Sequence, residues 1–165
     1  MRFYLRYVAA TFGVLLLEGT IVRRVAIAGV RPDLLLALVV YAGLAGGGRG
    51  GVAIGLLIGL LRDCADPERF GLEALLMSLV GFAAGSTSPV VNRTHPLVQA
   101  LLIVFLLLGH DLARALAVTS FAPAEALGLW LRASPPAALY TAIIASLAAA
   151  LLPHLWAGGR GRGFS

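Results

Sequence analysis

Charged residues are scarce in this chain: they make up 13% of its 165 residues. Lysine is absent, so all thirteen cations are arginines, and only eight residues are acidic. The single cysteine, Cys64, excludes an internal disulfide. So few charges leave little polar surface for a water-soluble domain, and any chemistry is expected inside a membrane bundle or in its short loops.

The charges that are present stand between long apolar runs. Hydrophobic residues make up 59% of the chain, and its mean hydropathy is +0.92. A charged side chain at the centre of a bilayer costs about 2.5–3.5 kcal/mol, so charges belong at the ends of membrane spans or inside a bundle. The uncharged runs after the first helix are 34–48, 50–61, 74–91, 97–109 and 133–153. This pattern predicts an all-α, polytopic membrane protein.

The run boundaries predict one transmembrane bundle of about six helices over residues 1–156, followed by a flexible basic tail at 157–165. The predicted spans are 3–22, 32–46, 51–61, 72–90, 96–113 and 136–156, and residues 123–131 predict a separate interfacial helix. The second and third spans reach only about 22 Å and about 18 Å, against a hydrocarbon core of about 30 Å. They either recruit their flanking turns or form a half-buried hairpin shielded by neighbours.

The distribution of charge predicts an orientation for this bundle. With about six spans, every acidic residue falls on one side of the membrane, while the other side carries arginines alone. We assign the arginine-only side, with both termini, to the cytoplasm.

Small residues recur at four-residue spacing in two of the predicted spans. Such spacing lets helix backbones approach closely in lipid, where association depends on packing. The third span carries Gly51, Gly55 and Gly59, and the fourth carries Gly81 and Gly85. We interpret these glycines as helix-packing positions within the chain, with docking of another membrane protein as the alternative.

Several ionisable residues fall at span ends that share one face of the membrane. They are Arg31, Asp33, Arg62, Asp63, His110 and Asp111. One interpretation is local pairing of helix ends at the interface. The other is a polar cluster at the mouth of the bundle that orders loops, binds a partner or accepts a ligand, since ionisable groups at membrane depth are functional candidates.

Motifs for catalysis, metal binding and nucleic-acid binding are missing from the sequence. The Gly-rich stretch 46–51 lacks the Lys-Ser/Thr of a phosphate loop. His95, His110 and His154 lie in separate segments without ligand spacing. The arginines stand singly and form no basic patch. We therefore predict a protein that is not an enzyme and uses no cofactor, metal ion or nucleic acid.

Short motifs follow one another in a definite order along residues 29–86. They are Arg31-Pro32-Asp33-Leu34-Leu35-Leu36, a span ending at Tyr41, a Gly-rich turn, Gly55-x-x-x-Gly59-Leu60-Leu61-Arg62-Asp63, Gly71-Leu72-x-Ala74-Leu75 and Gly81-Phe82-x-x-Gly85. This order resembles the rod shape-determining protein MreD family. The resemblance implies a subunit of the bacterial cytoplasmic (inner) membrane that is a non-enzymatic scaffold of the cell-elongation machinery. Such a scaffold binds the bitopic protein MreC and helps to connect the MreB cytoskeleton with the peptidoglycan synthases, RodA and its penicillin-binding partner.

That family is similar in fold to the S-components of energy-coupling-factor vitamin transporters, which are bundles of six helices with a ligand pocket near one face. This second resemblance implies an alternative function, a vitamin-binding transporter subunit. In that case the predicted polar cluster would line the pocket.

Overall fold

The computed structural model describes residues 7, 10, 11, 13, 14, 32–87, 96–119 and 122–151. Its helices are α1 (Leu34–Asp63), α2 (Leu72–Thr87), α3 (Pro96–Val118) and α4 (Pro123–Leu151), with a short 3-10 turn at Pro67–Arg69. The described part of the chain contains no strand, so the predicted all-α class is confirmed there. Arg31, the tail 157–165 and most of the first predicted span lie outside the described residues.

Helix α1 is a hairpin of two helical arms, 34–46 and 48–63. Between the arms, Gly47 has φ 69° and ψ −173°, a left-handed conformation that favours glycine. A straight helix of 30 residues would hold its ends about 45 Å apart. Instead, Arg62 near the end of α1 contacts Asp33 immediately before its start. The chain therefore turns back at Gly47, within the Gly-rich stretch between the second and third predicted spans.

The first arm of the hairpin forms the centre of the bundle. Leu36, Val39 and Val40 are fully buried there. The arm is tied to α4, because the Tyr41 hydroxyl donates to the carbonyl of Ala145 at 3.2 Å. It also accepts a hydrogen bond from Tyr7, whose hydroxyl lies 3.4 Å from the Tyr41 carbonyl oxygen.

Helix α2 packs on the hairpin at backbone distance, and the glycines make this approach possible. At each glycine of this interface, an added Cβ atom would collide with backbone atoms of the facing helix. The facing pairs are Gly51 with Gly81, Gly55 with Met77, Gly59 with Ala74, Gly85 with Gly47, and Gly43 with Gly81. The five glycines singled out from the sequence thus lie at one interface, together with Gly43, which the sequence analysis missed.

Helices α3 and α4 form the other side of the bundle. The indole Nε1 of Trp130 on α4 donates to the Leu108 carbonyl on α3 at 2.9 Å. The prediction of a separate interfacial helix over residues 123–131 is wrong, because α4 continues through Pro135 and Pro136 to Leu151. Each proline removes one backbone donor, yet the helix continues across both positions.

Apolar side chains at four-residue spacing face outward from the bundle. On α3 they are Leu97, Leu101 and Phe105, and on α4 they are Leu139, Ile143 and Leu147. Within the described residues, α1 and the segment Leu97–Val118 have the length and apolarity of membrane spans. Because α1 reverses at Gly47, its length is shared between two arms of about 20 Å and about 24 Å.

Candidate functional site

A bidentate ion pair closes the base of the α1 hairpin. Arg62 Nη2 and Nη1 lie 2.6 Å and 2.8 Å from Asp33 Oδ1 and Oδ2. Asp33 Oδ1 also accepts from the backbone N–H of Leu36 at 2.8 Å, which caps the first turn of α1.

The same aspartate connects the hairpin to α4. The backbone N–H of Asp33 donates to the Thr141 hydroxyl at 2.9 Å, and Thr141 is completely buried. One residue therefore caps α1, pairs with its far end and bonds to another helix.

Asp63, at the end of the second arm, caps α2. Its carboxylate accepts from the backbone N–H groups of Glu73 at 3.1 Å and Ala74 at 3.0 Å. Asp63 is only 1% exposed, so these free donors of the first helical turn are its stabilising partners. The chain enters α2 through Gly71, whose φ of 97° suits glycine.

Glu73 lies at the centre of the site and is 7% exposed. Its Oε2 atom is 3.3 Å from His110 Nε2 and 3.9 Å from Arg62 Nη1, and its Oε1 atom is 2.8 Å from Arg114 Nε. Among the described residues, no donor meets Oε1 in hydrogen-bond geometry, so the Arg114 contact there is an ion pair without an aligned hydrogen bond. Three cationic or basic side chains from two helices thus converge on one buried carboxylate.

His110 is buried on α3 and contacts a carboxylate through each ring nitrogen. Besides the Glu73 contact, its Nδ1 atom lies 3.3 Å from Asp111 Oδ1. Asp111 is partly exposed and Arg114 is half-exposed, so this edge of the site reaches the surface of the bundle.

These contacts define the polar cluster of this protein, which consists of Asp33, Arg62, Asp63, Glu73, His110, Asp111 and Arg114. The structure brings together five of the six ionisable residues singled out from the sequence, and the sixth, Arg31, lies outside the described residues. Glu73 and Arg114 were missed. The spacing of four residues between His110 and Arg114 places them on one face of α3 and was the available signal for Arg114.

The contacts of the polar cluster join the helices of the bundle to one another. Its acidic groups each face a guanidinium, an imidazole or backbone donors, and its contacts link α1, α2, α3 and α4. Within the described ranges, no group of three or more His, Cys, Asp or Glu residues is placed to hold a metal ion. The arrangement holds helices in position.

An all-helical bundle with exposed apolar stripes and two helices long and apolar enough to cross a membrane has, over its described residues, the features of a small membrane protein. The family model of the rod shape-determining protein MreD matches residues 1–153, and the chain belongs to this family. Membership makes it a membrane protein involved in determining rod shape, in a family not known for enzymes. No curated protein and no solved structure matches the chain.

Proposed function

We propose that this protein is a non-enzymatic scaffold of the bacterial cell-elongation machinery in the inner membrane. In this role it binds an MreC-like bitopic protein and helps to couple the MreB cytoskeleton to peptidoglycan synthesis by RodA and its penicillin-binding partner. The observation that carries the proposal is the family match over nearly the whole chain, residues 1–153.

The proposed architecture is a bundle of about six spans, similar to the S-component fold, with both termini in the cytoplasm. Its spans are an N-terminal helix, the two arms of α1, α2, α3 and α4. The outward apolar stripes of α3 and α4 support a lipid environment, because contiguous exposed apolar surface of this kind is rare on soluble monomers. The contact between Tyr7 and Tyr41 supports a first helix that packs on the hairpin.

The polar cluster supports a scaffold role by holding a loop. The segment 64–71 leaves the hairpin immediately after Asp63 and enters α2 at the turn that Asp63 caps. In this segment, Cys64, Glu68 and Phe70 are exposed. We propose that the cluster presents this loop to the partner on the non-cytoplasmic side.

The native cysteine offers a test of orientation. Cys64 is exposed in this loop, so a membrane-impermeant maleimide should label it in intact spheroplasts. A Cys64→Ser, Arg49→Cys variant moves the thiol to the exposed hairpin tip, which should be labelled only after permeabilisation. The reverse pattern would invert the proposed topology.

Function is tested by depletion in the native bacterium. We expect depleted cells to become round, and the tagged protein to co-purify with a bitopic partner from detergent extracts. A Glu73→Gln variant at normal abundance should restore shape less well than an Asp66→Asn variant, whose residue pairs only at the surface. Retained rod shape together with lost vitamin uptake would instead identify the transporter alternative.

A further inference from the structure

His110 faces a carboxylate at each of its two ring nitrogens. Nε2 lies 3.3 Å from Oε2 of Glu73 on α2, and Nδ1 lies 3.3 Å from Oδ1 of Asp111 on α3. Only 2% of the histidine side chain is exposed, so little water can replace either partner. A carboxylate accepts hydrogen bonds, and a neutral imidazole carries a single N–H, whereas the imidazolium carries two. Both contacts are therefore hydrogen bonds only when His110 holds a second proton.

Loss of that proton would leave an acceptor facing an acceptor. Whichever ring nitrogen keeps its hydrogen, the lone pair of the other then points at a carboxylate oxygen in a buried site. A buried acceptor without a donor destabilises the contact, because water does not replace the missing hydrogen bond. The guanidiniums of Arg114 and Arg62 lie 2.8 Å and 3.9 Å from the oxygens of Glu73, which keeps Glu73 an acceptor. The proton of this contact therefore belongs to His110.

The charges around His110 give the polar cluster an excess of anions. The groups that face His110 or its two carboxylate partners are Asp33, Arg62 and Asp63 on α1, Glu73 on α2, and Asp111 and Arg114 on α3. Four carboxylates and two guanidiniums sum to −2, and the imidazolium brings this sum to −1. Within the described residues, α4 adds the Thr141 hydroxyl, which bonds to the backbone of Asp33 and carries no charge. Of these groups, histidine is the type that ordinarily titrates near neutral pH.

A proton can reach this buried ring from the surface of the bundle. Asp111, which contacts Nδ1, has 26% of its side chain exposed, and Arg114, one turn further along α3, is half-exposed. Asp111 therefore connects His110 to the surrounding solution, whereas Glu73 on the other side of the ring is buried. The protonation of His110 can thus follow the pH outside the bundle.

We propose that His110 forms a proton-dependent contact between α2 and α3, in which the imidazolium holds α3 against the first turn of α2 and deprotonation loosens that attachment. The cap of α2 does not need this proton, because Asp63 accepts from backbone N–H groups, so α2 stays on the hairpin. The pair of Arg114 with Glu73 also remains, but water screens it. The inference concerns the bundle itself and does not depend on the partners of the proposed function.

The test measures the distance between α2 and α3 as the pH changes. Spin labels are attached at Leu75→Cys on α2 and Val118→Cys on α3, two exposed positions outside the cluster. The control pair joins Leu75→Cys to Arg49→Cys at the exposed hairpin tip and reports on the hairpin and α2 alone. Both pairs are placed in the full-length protein in lipid nanodiscs, and electron spin resonance gives the distances between about pH 6 and about pH 10. The background that leaves His110 as the single histidine carries Cys64→Ser, His95→Gln and His154→Gln.

We expect the distance between α2 and α3 to lengthen by about 2 Å or more as the pH rises, while the control distance stays the same. The ring nitrogen signals of isotope-labelled His110 in nuclear magnetic resonance should titrate with the same midpoint as the distance. A His110→Gln variant should lose the pH dependence, because its amide can donate to Glu73 at every pH.

An Asp111→Asn variant separates the proposal from a purely structural role. The asparagine amide can donate to Nδ1 while the Nε2–H of a neutral ring donates to Glu73, so both contacts survive without the second proton. The short distance should therefore persist at high pH, which loss of a merely structural side chain would not produce. Because Asp111 is partly exposed, this variant tests the proposal even where His110→Gln does not fold.

Three results would overturn the proposal. The first is a constant distance between α2 and α3 across the pH range in the parent protein. The second is a lengthening that persists in Asp111→Asn. The third is an equal lengthening of the control pair, which would mean general unfolding instead of a local release of α3. Each of them leaves the proposed scaffold role standing, since depletion in cells tests that role separately.

Discussion

Removing the charge of Glu73 should destabilise the bundle more than removing any exposed acidic charge. In Glu73→Gln the side chain keeps its size, but the carboxylate that faces His110, Arg114 and Arg62 is lost. The buried contact with His110 is a hydrogen bond to a charged group, worth about 1.5–3 kcal/mol. The half-exposed pair with Arg114 adds at most about 1 kcal/mol, because solvent screens it.

The expected loss of unfolding free energy is therefore about 2–4 kcal/mol. It is measured by denaturant titration of the purified protein in a mild detergent, with the helical signal in circular dichroism as the readout. Asp66→Asn is the control, since Asp66 and Arg69 are each more than two-fifths exposed and their pair should contribute below about 0.5 kcal/mol. Equal stability of the two variants would refute the view that Glu73 is the buried centre of the cluster.

Three further changes test other parts of the bundle. Gly55→Leu should prevent α2 from packing on the hairpin and lower the amount of folded protein in membranes several-fold. Gly109→Leu should be tolerated, since a Cβ there meets no described atom within 4 Å. Equal abundance of the two variants on immunoblots would contradict this expectation. Asp63→Ala removes two buried acceptor atoms and should lower the free energy of unfolding by about 2 kcal/mol. Glu68→Ala, at an exposed residue, should change it by almost nothing. Similar denaturation midpoints for the two variants would argue against Asp63 as the cap of α2. Gly71→Ala should cost about 1–2 kcal/mol because of its φ of 97°, and an unchanged thermal midpoint would show that the turn can relax.

Helix positions could be predicted from the sequence because the spacing of charges and the Gly-rich stretches are local features of the chain. The Gly-rich stretch 46–51 indicated the turn between the second and third predicted spans. Closure of the hairpin depends on Asp33 meeting Arg62 across 29 residues, a pairing that no local pattern specifies. The single helix α4 was missed because Pro135 and Pro136 are strong local helix breakers, yet the helix continues across both of them.

The residues of the polar cluster also divide into those that local sequence predicts and those that depend on tertiary contacts. Asp33, Arg62, Asp63, His110 and Asp111 could be assigned to one face of the membrane from their positions at span ends. Glu73 was overlooked because an acidic residue in a first helical turn is already explained by the helix dipole. Its burial arises only when α3 brings His110 against it. A residue whose local role is satisfied can thus acquire a second role that the sequence alone does not reveal.

The first turn of α2 couples the hairpin to α3 through two different groups of one residue. The backbone N–H of Glu73 is held by Asp63 at the end of the hairpin, while its carboxylate contacts His110 on α3. A shift of α3 would therefore pull on the same turn that Asp63 caps, and with it on the loop 64–71. At the opposite end of α2, the contact of Gly85 with Gly47 is packing alone and carries no charge. The charged end of α2 therefore links the hairpin and α3 through one residue, whereas its glycine end contacts the hairpin by backbone packing.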